Sequence, residues 1–137
     1  MNKEIWEIWL EDEERREKDF HRYSKSKKVK REIEIQELVK GHIDKADHNL
    51  KFTNSILEAG KFNDWAVVSA YYSIYHVSLA LCALKGYSTK DHLATLLILI
   101  REFYKKELNK EDIEVIGNAT IKKKKFCTTL KQRQKGQ

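Results

Sequence analysis

A run of twenty uncharged residues, WAVVSAYYSIYHVSLALCAL, extends from Trp65 to Leu84 in a chain in which 35% of the residues are charged. Twenty helical residues span roughly 30 Å, about one hydrocarbon core, so length alone permits a membrane span. Tyrosines and serines occupy the middle of the run, whereas the tyrosines of spanning helices favour the two membrane interfaces. A helix that is apolar all round is usually buried among other helices. We therefore predict the central helix of a bundle and no membrane association.

The chain is poor in residues that punctuate strands and turns, with no proline and only five glycines among 137 residues. This composition predicts an all-α fold, and the length suffices for one domain with its own core. Two cysteines, Cys82 and Cys127, lie far apart in the sequence and form no disulfide or zinc-binding pattern. We therefore expect no metal and no cofactor. Acidic residues from Glu4 onward are unlike a secretory signal, so the cytoplasm is the expected location.

The first thirty residues combine an apolar tip with a highly charged segment. Residues 1–30 are predicted to form one helix followed by a basic linker, because six of the ten residues from Arg22 to Arg31 are lysine or arginine. Trp6 and Trp9 are three positions apart and share one face of the predicted helix. They either close onto the chain's own bundle or anchor a partner.

Apolar periodicity and capping residues define further helices. Between residues 31 and 59, apolar side chains recur at steps of three and four, as in an amphipathic helix, and Gly60 ends that helix. The uncharged helix follows, and the sequence Ser-Thr-Lys-Asp at 88–91 is typical of a capping box before the next helix. With the N-terminal helix and a last helix near the C-terminus, the chain has four to five predicted helices joined by short connections, which predict an up-and-down bundle. The bundle domain is assigned to residues 31–137.

The last predicted helix begins at Asn109, with Asp112 three positions later as a capping signal, and is interrupted by Gly117 and Asn118. Beyond Gly117 the chain contains no acidic residue. Seven basic side chains in this tail are predicted to bind nucleic acid by neutralising phosphates. They are Lys122, Lys123, Lys124, Lys125, Lys131, Arg133 and Lys135. A lysine-rich surface that serves only solubility is the alternative interpretation.

Four polar side chains lie along one side of the uncharged helix, at steps of three, one and three: Ser69, Tyr72, Ser73 and His76. One interpretation is a polar groove at a subunit interface, with Tyr72 and His76 facing a ligand or a second copy. The other is a core histidine that is hydrogen-bonded to a neighbour, since buried polar groups generally find partners. His92 begins the next predicted helix, where a neutral imidazole can be purely structural.

The segment from Phe62 to Leu97, FNDWAVVSAYYSIYHVSLALCALKGYSTKDHLATLL, resembles the HEPN domain family. An ordered set of ten residues carries the resemblance: Asn63, Ala70, Tyr71, Tyr72, Tyr75, His76, Leu81, Lys85, Gly86 and His92. The amphipathic helix before this segment is similar to the family's first core helix. The resemblance thus covers residues 37–100, nearly half of the chain.

The resemblance implies an α-helical bundle that dimerises and takes part in nucleic-acid or nucleotide transactions, often beside a minimal nucleotidyltransferase in a toxin–antitoxin pair. Active members of the family are metal-independent ribonucleases with an Arg–x(4–6)–His motif on a late helix. The chemistry is intelligible, because arginine can hold the scissile phosphate and histidine can move a proton near neutral pH.

This sequence departs from the family in lacking the late-helix motif, because no histidine follows His92. One string match, Arg16–x4–His21, lies upstream, and side chains five positions apart do not share a helix face. We therefore expect a non-catalytic protein that forms a homodimer and binds RNA or a nucleotidyltransferase-like partner. The alternative is an active ribonuclease toxin with a site around His76 and His92. A third interpretation is a helical scaffold whose basic tail binds nucleic acid loosely.

Overall fold

The computed structural model describes the backbone of residues 3–135 and the side chains of residues 3–122. Over these residues the chain forms six helices and one short two-stranded ribbon, which confirms the all-α prediction. In chain order the elements are α1 (Ile5–Glu11), α2 (Glu13–Lys25), β1 (Lys30–Arg31), α3 (Ile35–Ala59), α4 (Asn63–Leu84), β2 (Tyr87–Ser88), α5 (His92–Phe103) and α6 (Lys110–Lys135). The number of helices exceeds the predicted four to five because the expected N-terminal helix is two helices.

The break between α1 and α2 lies at Asp12. Its backbone is extended, with φ −121° and ψ 95°, and its carboxylate accepts a hydrogen bond from the backbone amide of Arg15 at 2.9 Å. Asp12 is therefore the N-cap of α2, a position at which aspartate is strongly preferred. Trp6 and Trp9 lie in α1, on the N-terminal side of this break. Both are buried in the core of their own chain rather than exposed for a partner.

The centre of the core is α5, in which every residue from Ala94 to Ile100 is buried. The helices α1, α2, α4 and α6 all pack against it. The uncharged helix α4 packs against α3, α5 and α6, but Val67, Val77 and Leu84 on its surface remain between 42% and 56% exposed. The expectation that every other helix packs against α4 is therefore wrong, and the most enclosed helix is α5, which packs against four of the other five.

Among the described residues, α4 is the one helix long and apolar enough to cross a bilayer, judged by length and composition. In its most apolar window, 44% of the residues are buried against the rest of the chain. The core helix of a soluble protein meets the same two criteria, so this finding does not distinguish the two settings.

The predicted basic linker forms ordered structure. α2 continues to Lys25, Val29 is buried, and β1 pairs antiparallel with β2. In this pairing Lys30 lies opposite Ser88, and the guanidinium of Arg31 lies 4.7 Å from the centre of the Tyr87 ring. The ribbon therefore ties the chain before α3 to the connection between α4 and α5.

Local capping signals locate several helix ends. Gly60 ends α3 in the left-handed conformation, with φ 68°, as its sequence position predicts. Asn109 and Asp112 exchange side-chain-to-backbone hydrogen bonds of 2.9 and 3.0 Å, the reciprocal pair of a capping box at the start of α6. The prediction for α5 is wrong in one detail, because Asp91 caps the helix while Ser88 belongs to β2.

α6 runs through Gly117 without the predicted interruption. A Cβ atom at this position would lie 2.5 Å from Cε2 of Trp6, which is closer than two carbon atoms can approach. Gly117 is therefore required by packing rather than by a helix end, because the buried indole of Trp6 lies directly against the α6 backbone.

Candidate functional site

Polar side chains form a seam between α3 and α4. The hydroxyls of Thr53 and Ser69 lie 2.6 Å apart, and the Ser73 hydroxyl donates to the carbonyl of Ala46 at 2.8 Å. Further along the same line, Nδ1 of His42 lies 3.1 Å from Nδ1 of His76. Three of the four residues of the predicted polar groove, Ser69, Ser73 and His76, thus face α3 and are hydrogen-bonded within the chain.

The His42–His76 contact constrains the protonation of both rings. Two Nδ1 atoms share a hydrogen bond only if one carries the proton and the other accepts it. Burial lowers the pKa of His42, and the neighbouring His76 and Lys45 lower it further. Burial followed by Lys45 also lowers the pKa of His76. Both imidazoles are therefore held in the neutral form near pH 7, in which each can accept a proton.

A cluster of stacked rings lies on the α5 side of α4. The rings of Tyr75 and His92 are nearly parallel, with centroids 4.2 Å apart, and the Tyr71 hydroxyl is hydrogen-bonded to Nδ1 of His92. Burial raises the pKa of Tyr71 to about 12, so its hydroxyl remains protonated at neutral pH. Tyr72, the fourth residue of the predicted groove, belongs to this cluster, since its ring meets both Tyr71 and Tyr75 edge-on.

A pocket of about 800 Å³ opens where the seam and the ring cluster meet. His42, Tyr75 and His92 contribute to its lining, so the two histidine-containing clusters reach the same cavity. Four lysines also line it: Lys27, Lys28, Lys30 and Lys90. The acidic residues in the lining are Glu32 and Asp91. Four positive and two negative side chains give the lining a net charge of +2, the histidines not counted.

The predicted site residues are thus divided between three places. His92 lines the pocket, whereas His76 reaches it only through its hydrogen bond to His42. Of the predicted nucleic-acid-binding residues, Lys122 is exposed on α6. The other six lie outside the described side chains: Lys123, Lys124, Lys125, Lys131, Arg133 and Lys135.

Sequence reasoning missed His42 and the four pocket lysines. A signal for His42 existed, because it lies four positions before Ala46 on the line of small and polar residues with which α3 meets α4. The lysines carried no such signal, since three of them fall in the segment interpreted as a linker.

Two other candidate features have structural roles in the described residues. Nε of Arg16 donates to the backbone carbonyl of Trp9 at 2.9 Å, so the guanidinium of the Arg16–His21 string match holds α2 against α1. Cys82 is a buried free thiol whose pKa is raised by burial, which makes it a poor nucleophile. Cys127 lies outside the described side chains. Over residues 3–122, no three histidine, cysteine or carboxylate side chains converge as metal ligands would.

Comparison of the chain with protein-family models, curated proteins and solved structures returns no match. The resemblance to the HEPN family therefore rests on the residues quoted from the sequence.

Proposed function

We propose that this chain is a non-catalytic helical binding protein of HEPN type, which forms a homodimer and binds RNA. The observation that carries the proposal is an uncovered apolar surface on the α3–α4 hairpin. We call it the apolar face, and it consists of Ile43, Leu50, Leu57, Val67, Val77 and Leu84. Each of these six side chains is between 42% and 56% exposed.

The six residues lie on one side of the hairpin. At 100° per residue, the three α3 members are rotated by about 50–90° from the line of α3 that contacts α4. The three α4 members are rotated by about 40–140° from the line of α4 that contacts α3, in the same rotational sense. In an antiparallel pair of helices, displacements of the same sense point to the same side of the pair. The six residues therefore lie on the same side of the hairpin.

Covering the apolar face is worth enough energy to hold a dimer of moderate affinity. Burying the exposed half of one such side chain gains about 1 kcal/mol, so two faces of six residues gain of order 12 kcal/mol. Association costs of about 4–15 kcal/mol oppose this gain. We therefore expect a dimer at tens of micromolar rather than one that persists at nanomolar concentration.

A second copy of the chain is the occupant that the α3 sequence favours. Ile43, Leu50 and Leu57 are spaced by seven, so the stripe is symmetric about Leu50 and matches itself when a second α3 lies antiparallel to it. Charges beside the stripe alternate in sign, which leaves no block of like charge to repel a second copy. They form two ion pairs within α3, Lys40–Asp44 and Lys51–Asp47. The competing occupant of the apolar face is a nucleotidyltransferase-like protein. The two proteins would then form a toxin–antitoxin-type system in the cytoplasm.

Light scattering on the purified full chain tests the dimer. At about 50 µM the wild type should have about twice the 16.2 kDa chain mass. Leu50→Glu places a charge at the centre of the stripe and should give a monomer. Val115→Glu is the matched control, because Val115 is 60% exposed but belongs to α6 and not to the α3–α4 hairpin, and its variant should remain a dimer. A monomeric wild type, or a dimeric Leu50→Glu variant, would contradict the proposal.

RNA binding is proposed to be electrostatic and to involve the basic tail. The net charge of +6 and the acid-free sequence after Gly117 support it. Seven cations that neutralise phosphates on single-stranded RNA should lose up to about a thousandfold in affinity between 50 and 200 mM salt.

Fluorescence anisotropy with a labelled single-stranded RNA measures this salt dependence. Replacing the seven tail cations by glutamine should abolish it, whereas a triple glutamine variant of Lys40, Lys51 and Lys61 on the α3–α4 hairpin should retain most of it. Affinity that is independent of salt, or unchanged in the tail variant, would exclude an electrostatic tail.

The neutral His42–His76 pair favours a second candidate, a metal-independent ribonuclease. A neutral imidazole beside lysines that hold a phosphate has the parts of an acid–base site. Under the leading proposal, wild type should cleave RNA no faster than a preparation of His76→Ala or His92→Ala, each checked for folding by circular dichroism. Robust wild-type cleavage that disappears in either folded variant would establish the ribonuclease and overturn the leading proposal. Loss only in an Arg16→Ala, His21→Ala double variant would assign cleavage to the N-terminal match.

A further inference from the structure

We infer that the pocket between the α2–β1 turn, α3 and the start of α5 binds a dianionic phosphate group. This site is distinct from the basic tail and would act whether or not the tail binds RNA. The inference rests on the convergence of cations from separate segments, on the fixed partners of the two acidic residues, and on the backbone conformation of Lys27.

The lysines reach the pocket from two segments more than fifty residues apart in sequence. Lys27, Lys28 and Lys30 come from the turn after α2 and from β1, whereas Lys90 precedes α5. The antiparallel pairing of Lys30 with Ser88 brings the two segments together. Lys28 lies 3.8 Å from the carboxylate of Asp91, but within residues 3–122 the other three lysines form no ion pair.

The two acidic residues of the lining already have partners within the chain. Glu32 accepts a hydrogen bond from the Ser88 hydroxyl at 2.7 Å. Asp91 caps α5 through the Ala94 amide, and its other oxygen faces Lys28. The remaining charge of the pocket is therefore positive and close to two units, which is the charge that a phosphate monoester dianion neutralises. A divalent cation would meet the opposite field.

The backbone at Lys27 has an unusual conformation for a lysine. It lies just past the end of α2 with φ 65°, a left-handed position that glycine or asparagine normally fills. The position therefore carries a cost in conformational energy, and such strain tends to be retained at functional sites. Here it belongs to one of the cations that line the pocket.

Hydrogen-bond donors and acceptors complement the charges. The hydroxyls of Ser88 and Thr89 lie in the lining beside the imidazoles of His42 and His92. The Ser88 hydroxyl donates to Glu32, whereas the Thr89 oxygen accepts from the Asp91 amide and keeps its own hydrogen for a ligand. Ammonium groups supply charge and the Thr89 hydroxyl supplies a directional donor, the combination with which proteins bind phosphate oxygens.

Nuclear magnetic resonance titration of the full chain with inorganic phosphate at constant ionic strength tests the site. Backbone amides of residues 27–31 and 86–93 should shift and saturate, whereas acetate at the same ionic strength should leave them unchanged. Replacing Lys30 and Lys90 by glutamine should weaken the phosphate affinity by about tenfold, since each charge-assisted contact is worth severalfold in binding.

The matched control removes two charges elsewhere. Lys51→Gln with Lys61→Gln lies along and at the tip of the α3–α4 hairpin, outside the pocket, and should change the affinity less than twofold. Shifts that do not saturate, that appear equally with acetate, or that weaken equally in the control would overturn the inference. Circular dichroism confirms that each variant is folded.

Competition identifies where the phosphate comes from. A short RNA with a 5′-phosphate should displace inorganic phosphate from the pocket amides more strongly than the same RNA without it, if the site reads RNA ends. Equal behaviour of the two RNAs assigns the site to a small phosphate-bearing molecule, and both results support a phosphate site. Because the readout is at the pocket amides, the glutamine variant of the tail should titrate with inorganic phosphate as the wild type does, even if the RNA-binding proposal fails.

Discussion

The packing of Trp6 against Gly117 predicts that a single methyl group destabilises the protein. In Gly117→Ala the new Cβ would lie 2.5, 2.8 and 2.9 Å from Cε2, Cζ2 and Cδ2 of the Trp6 indole. The indole is buried in the hydrophobic core around α5, so it cannot move away without displacing its neighbours.

Two opposing effects set the size of the change. Forcing extra atoms into a well-packed core costs about 1–3 kcal/mol. Replacing glycine by alanine inside a helix gains about 1 kcal/mol from propensity alone. Because all three contacts fall below 3.0 Å, the packing cost lies at the upper end of its range. We expect the free energy of unfolding to fall by about 2 kcal/mol.

Gly41 provides a matched control, because the same substitution there meets no obstacle. Gly41 lies inside α3, and a Cβ would have no atom within 4 Å. Gly41→Ala should therefore stabilise the protein by about 0.5–1 kcal/mol. Urea unfolding followed by circular dichroism measures both variants against the wild type.

The sign of the difference decides the outcome. If Gly117→Ala is as stable as Gly41→Ala, the indole does not lie against α6, and the reason given for the uninterrupted helix fails. A double-mutant cycle adds a second criterion: in a Trp6→Leu background the penalty at Gly117 should largely disappear. A penalty that persists there would have to come from another contact.

Three further predictions concern charged and titratable groups. Burial would raise the pKa of Asp19, but hydrogen bonds from Trp9 and Arg15 outweigh it and leave the pKa lowered. Asp19→Ala should therefore lower the free energy of unfolding, measured in urea, by about 2 kcal/mol. The stability of this variant should also fall less than that of the wild type as pH drops from about 5 to 3. Because the pKa values of His42 and His76 are lowered in the folded state, the unfolded chain takes up protons at a higher pH than the folded protein does. The free energy of unfolding should therefore fall as pH drops from about 7.5 to 5.5, and replacing both histidines by glutamine should make it depend less on pH. Lys27→Gly removes a left-handed lysine and should raise stability by about 0.5–1 kcal/mol, while weakening phosphate binding in the titration described above.

The sequence predicts those parts of the fold whose signals are local. A glycine at Gly60 or a reciprocal pair at Asn109 and Asp112 acts within one helical turn, so each marks a helix end wherever the helix lies in the bundle. Asp12 was such a signal too, but it stands within a run of charges that resembles the middle of an exposed helix. Local reasoning gave the wrong prediction at Gly117, which was expected to interrupt the last helix. The glycine is needed there because the Trp6 indole, more than a hundred residues away in sequence, packs against it.

Burial depends on packing partners, and the sequence identifies these poorly. The uncharged composition of α4 is compatible with a helix enclosed on every side, yet its Val67, Val77 and Leu84 are half exposed. α5 is shorter but is enclosed by four helices, because the tryptophans of α1 and the end of α2 close over it. Likewise, the pocket lysines come together only through a ribbon of two residues per strand, which has no periodicity to detect.

The apolar face and the pocket lie on opposite sides of the α3–α4 hairpin. Leu38 of α3 and Leu79 of α4 line the pocket and are rotated from the helix contact lines in the sense opposite to Leu50 and Val77. A dimer that buries the apolar face therefore leaves both pockets open and directs them away from each other. The His42 imidazole belongs both to the seam between α3 and α4 and to the pocket lining. A phosphate in the pocket would therefore contact the hairpin on the side opposite to the proposed dimer interface. It follows that Leu50→Glu should yield a monomer whose phosphate affinity remains that of the wild type, whereas a joint loss of dimer and phosphate binding in a folded Leu50→Glu variant would mean that the two surfaces are not separate.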